Sequence, residues 1–432
     1  MERSTDFSPS TPSTTPAPEA EDKLAVFCPE NGKYSACIYY RVEVPFRGLQ
    51  KFCAAETLIA NTTDFVPDTR NAMMCSSDIT LFFAKGGEAV NSTIGSLRQM
   101  RPGQDEKGKT IYPPSVIFDI DDNIDWVHPF NSSFAYMGTR DYGGNLLKPG
   151  DSLKTTFPDG QEVTVWADKM TTFDDNLFDI ERNHATIAGV HRTAKLVDGV
   201  TAPSPYLADY YREIHGCENV YVFPNSVIPE DYPKARLAPR GDGSVRIIWQ
   251  GGGSHMIDWF PLRDAVREIS LKYPFVKWVI WGSPFRWIHD NIPESQLELG
   301  NWIDYHAYKA HRVLVDADIN LCPLVDNEFN RSKSAIKWYE GSMLHRPEAT
   351  LAGNCRPYSE EMVDGETGLL YNDPQDFSEK LSKLIEDAEL RTRLGENAKK
   401  WILENRHYEK TVPKLFEFYQ GLRATKRKVY EA

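Results

Sequence analysis

The stretch from residue 330 to 343 concentrates side chains that can bind a phosphorylated ligand. It reads NRSKSAIKWYEGSM and places Lys333, Lys337 and Glu340 four and three residues apart, so that all three can share one helix face. The unpaired N–H groups at a helix start attract anions, and the lysines add full charges beside them. The stretch therefore predicts the start of one helix that holds a diphosphate and a sugar.

Ser332 or Ser334 would cap this helix. The same pattern is also typical of an ordinary amphipathic helix in which Ile336, Trp338 and Leu344 face the core and the charges face solvent. Lysines at a helix start oppose the helix dipole and usually need a reason. The sequence on either side decides between the two interpretations.

A glycine loop offers a second place for phosphate. It follows the apolar run Val245–Trp249, and its candidate donor-binding residues are Gly252, Gly253, Ser254 and His255. Backbone N–H groups and an imidazole in such a loop can donate hydrogen bonds to phosphate oxygens. Tyr305, which precedes a predicted helix, is a candidate for the nucleobase contact.

The N-terminal half contributes an acidic cluster, VIFDIDDNIDWVHPFN, at the carboxyl end of an apolar strand. Its aspartates are Asp119, Asp121, Asp122 and Asp125. Three interpretations stay open: a metal or phosphotransfer site like the haloacid dehalogenase signature, carboxylates that face a cleft and bind substrate hydroxyls or orient His128, or carboxylates that cap loops. Asn123 stands where the phosphatase signature has Thr or Val, which argues against the first.

Within this cluster, Asp122 and His128 are candidates for catalysis, and Asp119 and Asp121 for the acceptor side. Arg41 joins the acceptor side, because it follows a predicted strand and precedes a predicted helix, where a loop would meet substrate. A single histidine is more often structural than catalytic, and such an arginine equally often forms an ordinary ion pair.

Composition excludes several function classes. The 432 residues are 41% hydrophobic and 26% charged, which suffices for the cores of two domains. A net charge of -13 argues against broad nucleic-acid binding. No apolar run approaches the roughly 20 residues that span a bilayer, and a signal-peptide core is missing. The seven scattered cysteines predict reduced thiols in a cytoplasmic protein, forming neither a disulfide framework nor a zinc site.

Strands alternate with helices along the C-terminal half. The predicted strands are Val245–Trp249, Val276–Trp281, Asp318–Pro323, Ala349–Ala352 and Gly368–Tyr371, and the predicted helices are Asp258–Lys272, Tyr305–Val315 and Pro374–Glu386. The N-terminal half repeats the theme, with strands at Ile79–Phe83 and Ser115–Ile120, a helix at Asn176–Lys195, and Ser204 as the N-cap of another helix. This order predicts an α/β protein of two Rossmann-like domains that face a cleft, with the glycine loop and the lysine stretch at the carboxyl edge of one sheet.

The predicted domain organisation follows composition. Residues 1–22 are rich in Ser, Thr and Pro and predict a disordered tail, and residues 233–244 predict a linker. A helix after residue 407 could cross back to the N-terminal domain. The basic end, KRKVYEA, could touch an anionic membrane surface or be a solvated terminus. The predicted divisions are a tail at 1–22, an N-terminal α/β domain at 23–235, a C-terminal Rossmann-like domain at 236–406, and a helix with a basic tail at 407–432.

Five segments together carry a resemblance to a known family. They are VTAPSPYLADYYRE with VFPNSV, IIWQGGGSH, DINLCPLVDNEFNRSKSAIKWYEGSM, RPYSEEMVDGETGLLYNDPQDFSEKL and LRTRLGENAKKWI. The chain resembles glycosyltransferases of the GT-B fold, within the large retaining group called family four. The resemblance runs from Val116 to the C-terminus and is strongest over 245–405.

Members of that family commonly have two glutamates separated by seven residues at the donor site. Glu340 matches the second, whereas Ser332 stands at the first, as in a branch whose motif resembles FN-x-x-KS-x-x-K-x-x-E. The resemblance implies that Glu340 accepts hydrogen bonds from the nucleotide ribose and that Lys333 or Lys337 meets the diphosphate. It also implies a retaining hexosyl or pentosyl transfer from a nucleotide sugar, with no metal and no separate cofactor.

The acceptor is left open by the sequence. An acceptor glycan, a protein or a modified base of phage-type DNA all fit. The missing first glutamate also leaves a different class open, namely a noncatalytic nucleotide-sugar-binding scaffold.

Overall fold

Runs of buried apolar residues form two parallel sheets of six strands each. The computed structural model describes residues 23–29, 35–60, 67–84, 86–156, 162–167, 178–232, 240–282, 286–301 and 303–432. The predicted tail and most of the predicted linker, including the domain boundary at 235/236, lie outside these residues.

The first sheet has the strand order β10-β9-β6-β3-β1-β2 and the second the order β13-β12-β11-β14-β15-β16. In chain order the strands are β1 (Leu24–Cys28), β2 (Ala55–Ile59), β3 (Ile79–Phe83), β4 (Gly103–Gln104), β5 (Thr110–Ile111), β6 (Ser115–Asp119), β7 (Ser152–Thr156), β8 (Glu162–Ala167), β9 (Gly199–Ala202), β10 (Val220–Val222), β11 (Val245–Gly251), β12 (Val276–Gly282), β13 (Leu297–Gly300), β14 (Ile319–Cys322), β15 (Ala349–Gly353) and β16 (Leu369–Tyr371). The pairs β4–β5 and β7–β8 form small antiparallel hairpins. The predicted architecture of two Rossmann-like α/β units is thus confirmed.

Helices connect the strands of both sheets. They are α1 (Ala36–Ile38), α2 (Val44–Phe52), α3 (Pro67–Ser76), α4 (Glu88–Gln99), α5 (Phe134–Met137), α6 (Ile180–Leu196), α7 (Pro205–Glu213), α8 (Met256–Trp259), α9 (Arg263–Lys272), α10 (Arg286–Asn291), α11 (Tyr305–Val315), α12 (Glu328–Arg331), α13 (Ile336–Ser342), α14 (Tyr358–Glu361), α15 (Pro374–Glu386), α16 (Ala388–Asn405) and α17 (Tyr408–Glu431). A π-helical segment, Tyr39–Glu43, joins α1 to α2. Short 3-10 turns occupy Ile124–Trp126, Pro229–Asp231, Gly253–His255, Phe260–Leu262 and Glu294–Gln296.

The last helix, α17, crosses back and completes the core of the N-terminal half. Val412, Leu415 and Tyr419 are buried in the same apolar cluster as β1 and β3. Gly48 permits the close approach of α2, because a methyl group there would lie 2.7 Å from Val412 Cγ2. The predicted crossing is therefore confirmed.

The basic end of the chain is part of this helix. Lys426 forms an ion pair with Asp198 at 3.1 Å, and Arg427 forms one with Asp78 at 2.9 Å. The structure thus shows these two charges bound to the N-terminal half, and the predicted solvated tail is wrong for them.

Three local predictions also need correction. The predicted helix at 258–272 is split into α8, a 3-10 turn and α9, because Pro261 lacks the N–H that a continuous helix needs. The single helix predicted from residue 330 is two short helices, α12 and α13, and the residues between them are not helical. Arg41 lies inside the π-helical segment and not in a loop before a helix. By contrast, Ser204 caps α7 as predicted, since its hydroxyl accepts a hydrogen bond from the Leu207 N–H.

Candidate active site

A cavity of about 520 Å³ lies between the two halves of the chain, where strands of the second sheet end. Its wall combines residues from both sheets. The N-terminal half contributes Ser35, Cys37, Arg41, Asp121, Asp122 and Asn225, and the C-terminal half contributes among others Gln250, Gly251, His255, Trp281, Gly282, Tyr305, Tyr308, Lys333, Ser334, Lys337 and Glu340. The expected meeting of the glycine loop and the lysine stretch at one sheet edge is therefore observed.

Hydrogen bonds hold Lys337 in a defined position at this edge. Its Nζ donates a hydrogen bond to His255 Nε2 at 2.9 Å, and His255 Nδ1 lies 2.7 Å from Asp258 Oδ2. Burial, assisted by the charge of Lys337, lowers the pKa of His255 to about 4. The imidazole is therefore neutral, and its partners place the proton on Nδ1 so that Nε2 can accept.

Asp258 anchors this chain of hydrogen bonds. Its other oxygen, Oδ1, accepts from the Val325 N–H at 2.9 Å and from Asn330 Nδ2 at 2.7 Å. Burial lowers the pKa of Lys337 to about 8, which leaves the side chain mainly an ammonium ion at neutral pH. The arrangement points a cation into the cavity and supports it with a neutral acceptor.

A glycine other than those predicted makes room for this arrangement. A methyl group at Gly251 would lie 3.0 Å from His255 Cδ2 and 3.2 Å from Lys337 Nζ. Gly282 has φ +109°, and a methyl group there would lie 2.2 Å from the Gly251 carbonyl oxygen. The predicted Gly252, Gly253 and Ser254 belong to the turn after β11 and do not line the cavity.

Lys333 supplies a second cation from the break between α12 and α13. Its Nζ lies 3.3 Å from Asp122 Oδ1 of the N-terminal half and 4.3 Å from the centre of the Phe329 ring. Burial by itself lowers the pKa of Lys333, but Asp122 and Asp258 more than offset this and the pKa is raised. Lys333 therefore stays charged at the junction of the two halves.

The serines beside Lys333 form hydrogen bonds with other protein groups. Ser332 is fully buried, and its hydroxyl donates to the Phe329 carbonyl at 2.6 Å and accepts from the Asn123 N–H at 3.2 Å. Ser334 Oγ accepts from Asn225 Nδ2 at 2.7 Å. The residue that replaces the expected glutamate thus joins the two halves, and we do not place Ser332 among the donor-binding residues.

Glu340 is a buried carboxylate that four donors surround. Tyr40 and Tyr305 donate their hydroxyls to Oε1 at 3.2 and 2.6 Å, and Tyr308 and Gln250 donate to Oε2, both at 3.1 Å. A carboxylate offers about four acceptor positions. Those of Glu340 are therefore filled by protein groups in this conformation.

A further line of contacts fixes Gln250 behind Glu340. Gln250 Oε1 accepts from Arg312 Nε at 2.9 Å, and Arg312 in turn forms a buried ion pair with Glu348. Each member of this line is at most 6% exposed. The orientation of Glu340 is therefore set by packed groups and not by mobile surface side chains.

The acidic cluster divides into a neutralised part and an exposed part. Asp119 accepts from Arg41 Nε and Nη2 at 2.9 and 2.7 Å and from Thr201 Oγ1 at 2.5 Å, and it is 2% exposed. Arg41 also donates to Asn225 Oδ1 at 3.0 Å. Because both oxygens of Asp119 are occupied, it is not placed to act as the nucleophile of a phosphatase.

Asp121 and Asp122 reach the cavity, whereas His128 does not. Burial, together with the charge of Asp122, raises the pKa of Asp121 to about 6. His128 is 7% exposed, contacts the Phe329 ring edge to face, and neither ring nitrogen has a hydrogen-bond partner among the described residues. Burial lowers the pKa of His128 to about 4, so this histidine is neutral at physiological pH.

Four residues of the site were not predicted from the sequence. Asp258 and Tyr308 each lie three residues after a predicted site residue, one helical turn along, and Gln250 immediately precedes the glycine loop. These spacings in the sequence indicate that Asp258, Tyr308 and Gln250 lie near the predicted site residues. Tyr40 offers no such signal, because its contact with Glu340 joins residues 300 positions apart.

Sequence comparison finds one family model that matches the C-terminal half. Residues 261–417 match the family described as glycosyl transferase-like. No curated protein matches the sequence. Among the described residues, no helix has both the length and the apolar character needed to cross a membrane.

Two solved structures with TM-scores above 0.5 are similar to this protein over nearly the whole chain. Sucrose-phosphate synthase from Thermosynechococcus elongatus has 9% identity and a TM-score of 0.54, with 93% of this chain and 100% of that one covered. HepE from Anabaena, in complex with UDP and glucose, has 9% identity and a TM-score of 0.53, with 92% and 100% covered. TarM from S. aureus has 13% identity and a TM-score of 0.48, and the match covers 81% of this chain but only 59% of TarM.

The two parallel sheets, the cleft between them and the returning α17 define a GT-B fold, which these similarities confirm. The family match adds that residues 261–417 of the C-terminal half are similar to glycosyl transferase-like proteins. The GT-B fold that the resemblance implies is therefore confirmed.

Proposed function

We propose that this protein transfers a sugar from a nucleoside-diphosphate sugar bound in the cavity between the two sheets. The observation that carries the proposal is the chain Asp258–His255–Lys337, which fixes an ammonium ion at the carboxyl edge of the second sheet. Lys333 places a second cation on the same cavity wall. Two cations in a partly enclosed cavity suit a diphosphate.

The chemistry needs charge stabilisation at the leaving group. When the bond from the anomeric carbon to the phosphate oxygen breaks, its electron pair stays on the nucleoside diphosphate. Lys337 and Lys333 are held in advance where they can stabilise that developing charge. In a retaining, metal-independent reaction, the acceptor hydroxyl attacks from the face that the leaving group vacates, and its proton passes to the leaving phosphate.

Glu340 takes the ribose in this proposal, although its acceptor positions are filled in the present conformation. Of its four donors, only Tyr40 comes from the N-terminal half, and its hydrogen bond, at 3.2 Å, is the longest. A small opening of the cleft removes Tyr40 and frees Oε1 for a ribose hydroxyl. Donor binding therefore replaces an interdomain hydrogen bond.

The positions of residues on the cavity wall indicate where the acceptor and the nucleobase of the donor would bind. Asp121 and Asp122 line the N-terminal wall and can accept hydrogen bonds from acceptor hydroxyls. Tyr305 and Trp281 line the opposite wall, beside Glu340, where a base would lie next to its ribose. HepE, which shares the fold, binds UDP, so uridine donors are the first to test.

The test combines binding with turnover. The full chain is incubated with UDP, GDP, TDP and CMP sugars, and thermal shift and nucleotide release are measured with Lys337→Gln and with Lys414→Gln, an exposed lysine on α17, as the control. The proposal expects one donor class to raise Tm and to release nucleotide, and expects Lys337→Gln alone to abolish release. Binding without turnover on any acceptor would favour a noncatalytic scaffold, and no binding by any donor would refute both.

A further inference from the structure

A second group of polar side chains lies in the N-terminal half, outside the wall of the cavity. It consists of Asp125 in the turn Ile124–Trp126, His191 on α6 and His215 just after α7. His191 Nε2 lies 2.9 Å and His215 Nε2 3.4 Å from the same oxygen, Asp125 Oδ2. One ligand atom from each of the three residues lies within 4.8 Å of the others.

Hydrogen bonding leaves one member of this group, His215, unsatisfied. His215 is 7% exposed, and its Nε2 is buried without a hydrogen-bond partner among the described residues. A buried polar atom left in this way destabilises the folded protein. The two imidazole rings are also only 3.9 Å apart between centroids, so two protonated rings would repel each other. A cation that accepts the lone pair of His215 Nε2 would satisfy this atom and would keep both rings unprotonated.

Two of the three distances between ligand atoms match a tetrahedral metal coordination sphere. Zinc binds histidine nitrogen and carboxylate oxygen at about 2.0–2.2 Å, and tetrahedral angles then place neighbouring ligand atoms about 3.3 Å apart. The observed separations of 2.9 and 3.4 Å fall on either side of that value. Two imidazoles and one carboxylate are also ligands that suit zinc and related divalent ions.

We propose that Asp125, His191 and His215 bind one divalent transition-metal ion, with zinc the best match. Tyr210 supports the site, because its ring packs on His215 with centroids 5.3 Å apart. Outer partners of this kind orient metal ligands and are part of most metal sites. A water molecule completes a tetrahedral sphere, since the described residues provide three ligands.

The site is structural and separate from sugar transfer. Its ligands are absent from the cavity wall, and they tie three elements together: the turn after β6, α6 and the end of α7. Asp122, which does line the cavity, lies only three residues before Asp125. Metal binding therefore stabilises the N-terminal half and holds the loop that carries the acceptor-side aspartates.

The test measures metal directly on the untagged full chain. The protein is stripped with a chelator, titrated with Zn²⁺ against a competing chelating dye, and its bound metal is counted by elemental analysis. We expect one equivalent of bound zinc for the wild type and for His345→Gln, which changes an exposed histidine outside the group. We expect no zinc binding in competition with the dye for His215→Gln. Zinc should raise the Tm of the wild type and leave that of His215→Gln unchanged.

Cobalt substitution separates this site from the seven free cysteines. Co²⁺ held by nitrogen and oxygen gives visible d–d bands without the near-ultraviolet charge-transfer band of a thiolate. If His215→Gln does not fold, as judged by near-ultraviolet circular dichroism, the same comparison is made with His191→Gln. The His191 ring is partly exposed, so its replacement should disturb the fold less. The absence of stoichiometric binding, thiolate bands, or equal binding by wild type and folded variants would overturn the proposal.

Discussion

The carboxyl edges of the two sheets are built alike but carry opposite charge. The edge of the first sheet collects carboxylates, Asp119, Asp121 and Asp122, whereas the edge of the second collects Lys333, Lys337 and a neutral His255. Both sheets have six parallel strands, so the fold does not dictate this difference. The chemistry of each edge resides in the side chains placed on a shared scaffold.

The two edges also treat their buried charge differently. The first edge neutralises Asp119 within the protein, by a two-bond contact with Arg41. The second edge supports Lys337 with a neutral imidazole, so its positive charge remains available to a ligand. Among the described residues, Lys337 of the second edge forms no ion pair with a carboxylate, whereas the first edge pairs Asp119 with Arg41 and Asp122 with Lys333.

Removal of the Lys337 cation should have the largest effect. Lys337→Ala deletes a donor to the leaving phosphate, a change that typically costs about 2.7–4 kcal/mol of transition-state stabilisation. We expect kcat to fall by about 100-fold or more, measured as nucleotide release under saturating donor. Lys414→Ala should behave as the wild type, and an unchanged kcat in Lys337→Ala would remove this residue from the mechanism.

A methyl group at Gly251 should disturb the same edge less. It would press on the Trp249 ring, on His255 and on Lys337 Nζ, so Gly251→Ala should lower kcat by about tenfold, equivalent to about 1.4 kcal/mol. Gly253→Ala is the matched control, because its methyl group meets nothing closer than Ser132 Cβ at 3.8 Å. Equal kinetics for the two variants would show that the placement of Lys337 does not depend on this close approach.

The first edge can be tested by pH. Because burial raises the pKa of Asp121 from 3.8 to about 6, the folded protein holds this proton more tightly than the unfolded chain, and stability is lost as pH rises through 6. Asp121→Asn should therefore raise the free energy of unfolding by about 1 kcal/mol at pH 8 and should leave it unchanged near pH 3.5. The expected gain at pH 8 is smaller than the full pKa shift implies, because water reaches the cavity wall and screens the charge. Denaturant unfolding at both pH values measures this, with the exposed Asp290→Asn as the control. A gain that is the same at both pH values would contradict the assignment.

The contact between the edges should have the smallest effect. Tyr40→Phe removes a competitor of the ribose for Glu340, so we expect donor Kd to fall about threefold, by about 0.65 kcal/mol. Tyr39→Phe is the neighbouring control, since its hydroxyl binds Asp231 and not Glu340. A weaker donor affinity in Tyr40→Phe would mean that this hydroxyl assists binding and does not compete with the ribose.

Local pattern predicted much of the fold. Apolar runs such as Val245–Trp249 became strands, and Ser204 followed by Pro205 marked a helix start, because these signals act over a few residues. The break between α12 and α13 was missed. It depends on Ser332, whose hydroxyl bonds to Asn123 in the other half of the chain, a contact that no local window contains.

The site was predictable where its residues are close in sequence. Lys333, Lys337 and Glu340 lie within eight positions, and all three line the cavity. The pairing of Arg41 with Asp119 and the contact of Tyr40 with Glu340 were not predictable, since each joins residues brought together only by the packing of distant segments. The burial of His128 likewise follows from tertiary packing, and the residues next to it in the sequence do not indicate it.

The most direct test of the account compares a nucleoside diphosphate with the matching nucleoside by isothermal titration calorimetry. If the second edge binds the diphosphate through Lys337, the diphosphate should bind at least about tenfold more tightly in the wild type, a difference of about 1.4 kcal/mol. Lys337→Ala should lose most of this difference, and Lys414→Ala should keep it. Equal affinities for the two ligands in the wild type, or a difference that survives in Lys337→Ala, would contradict the account.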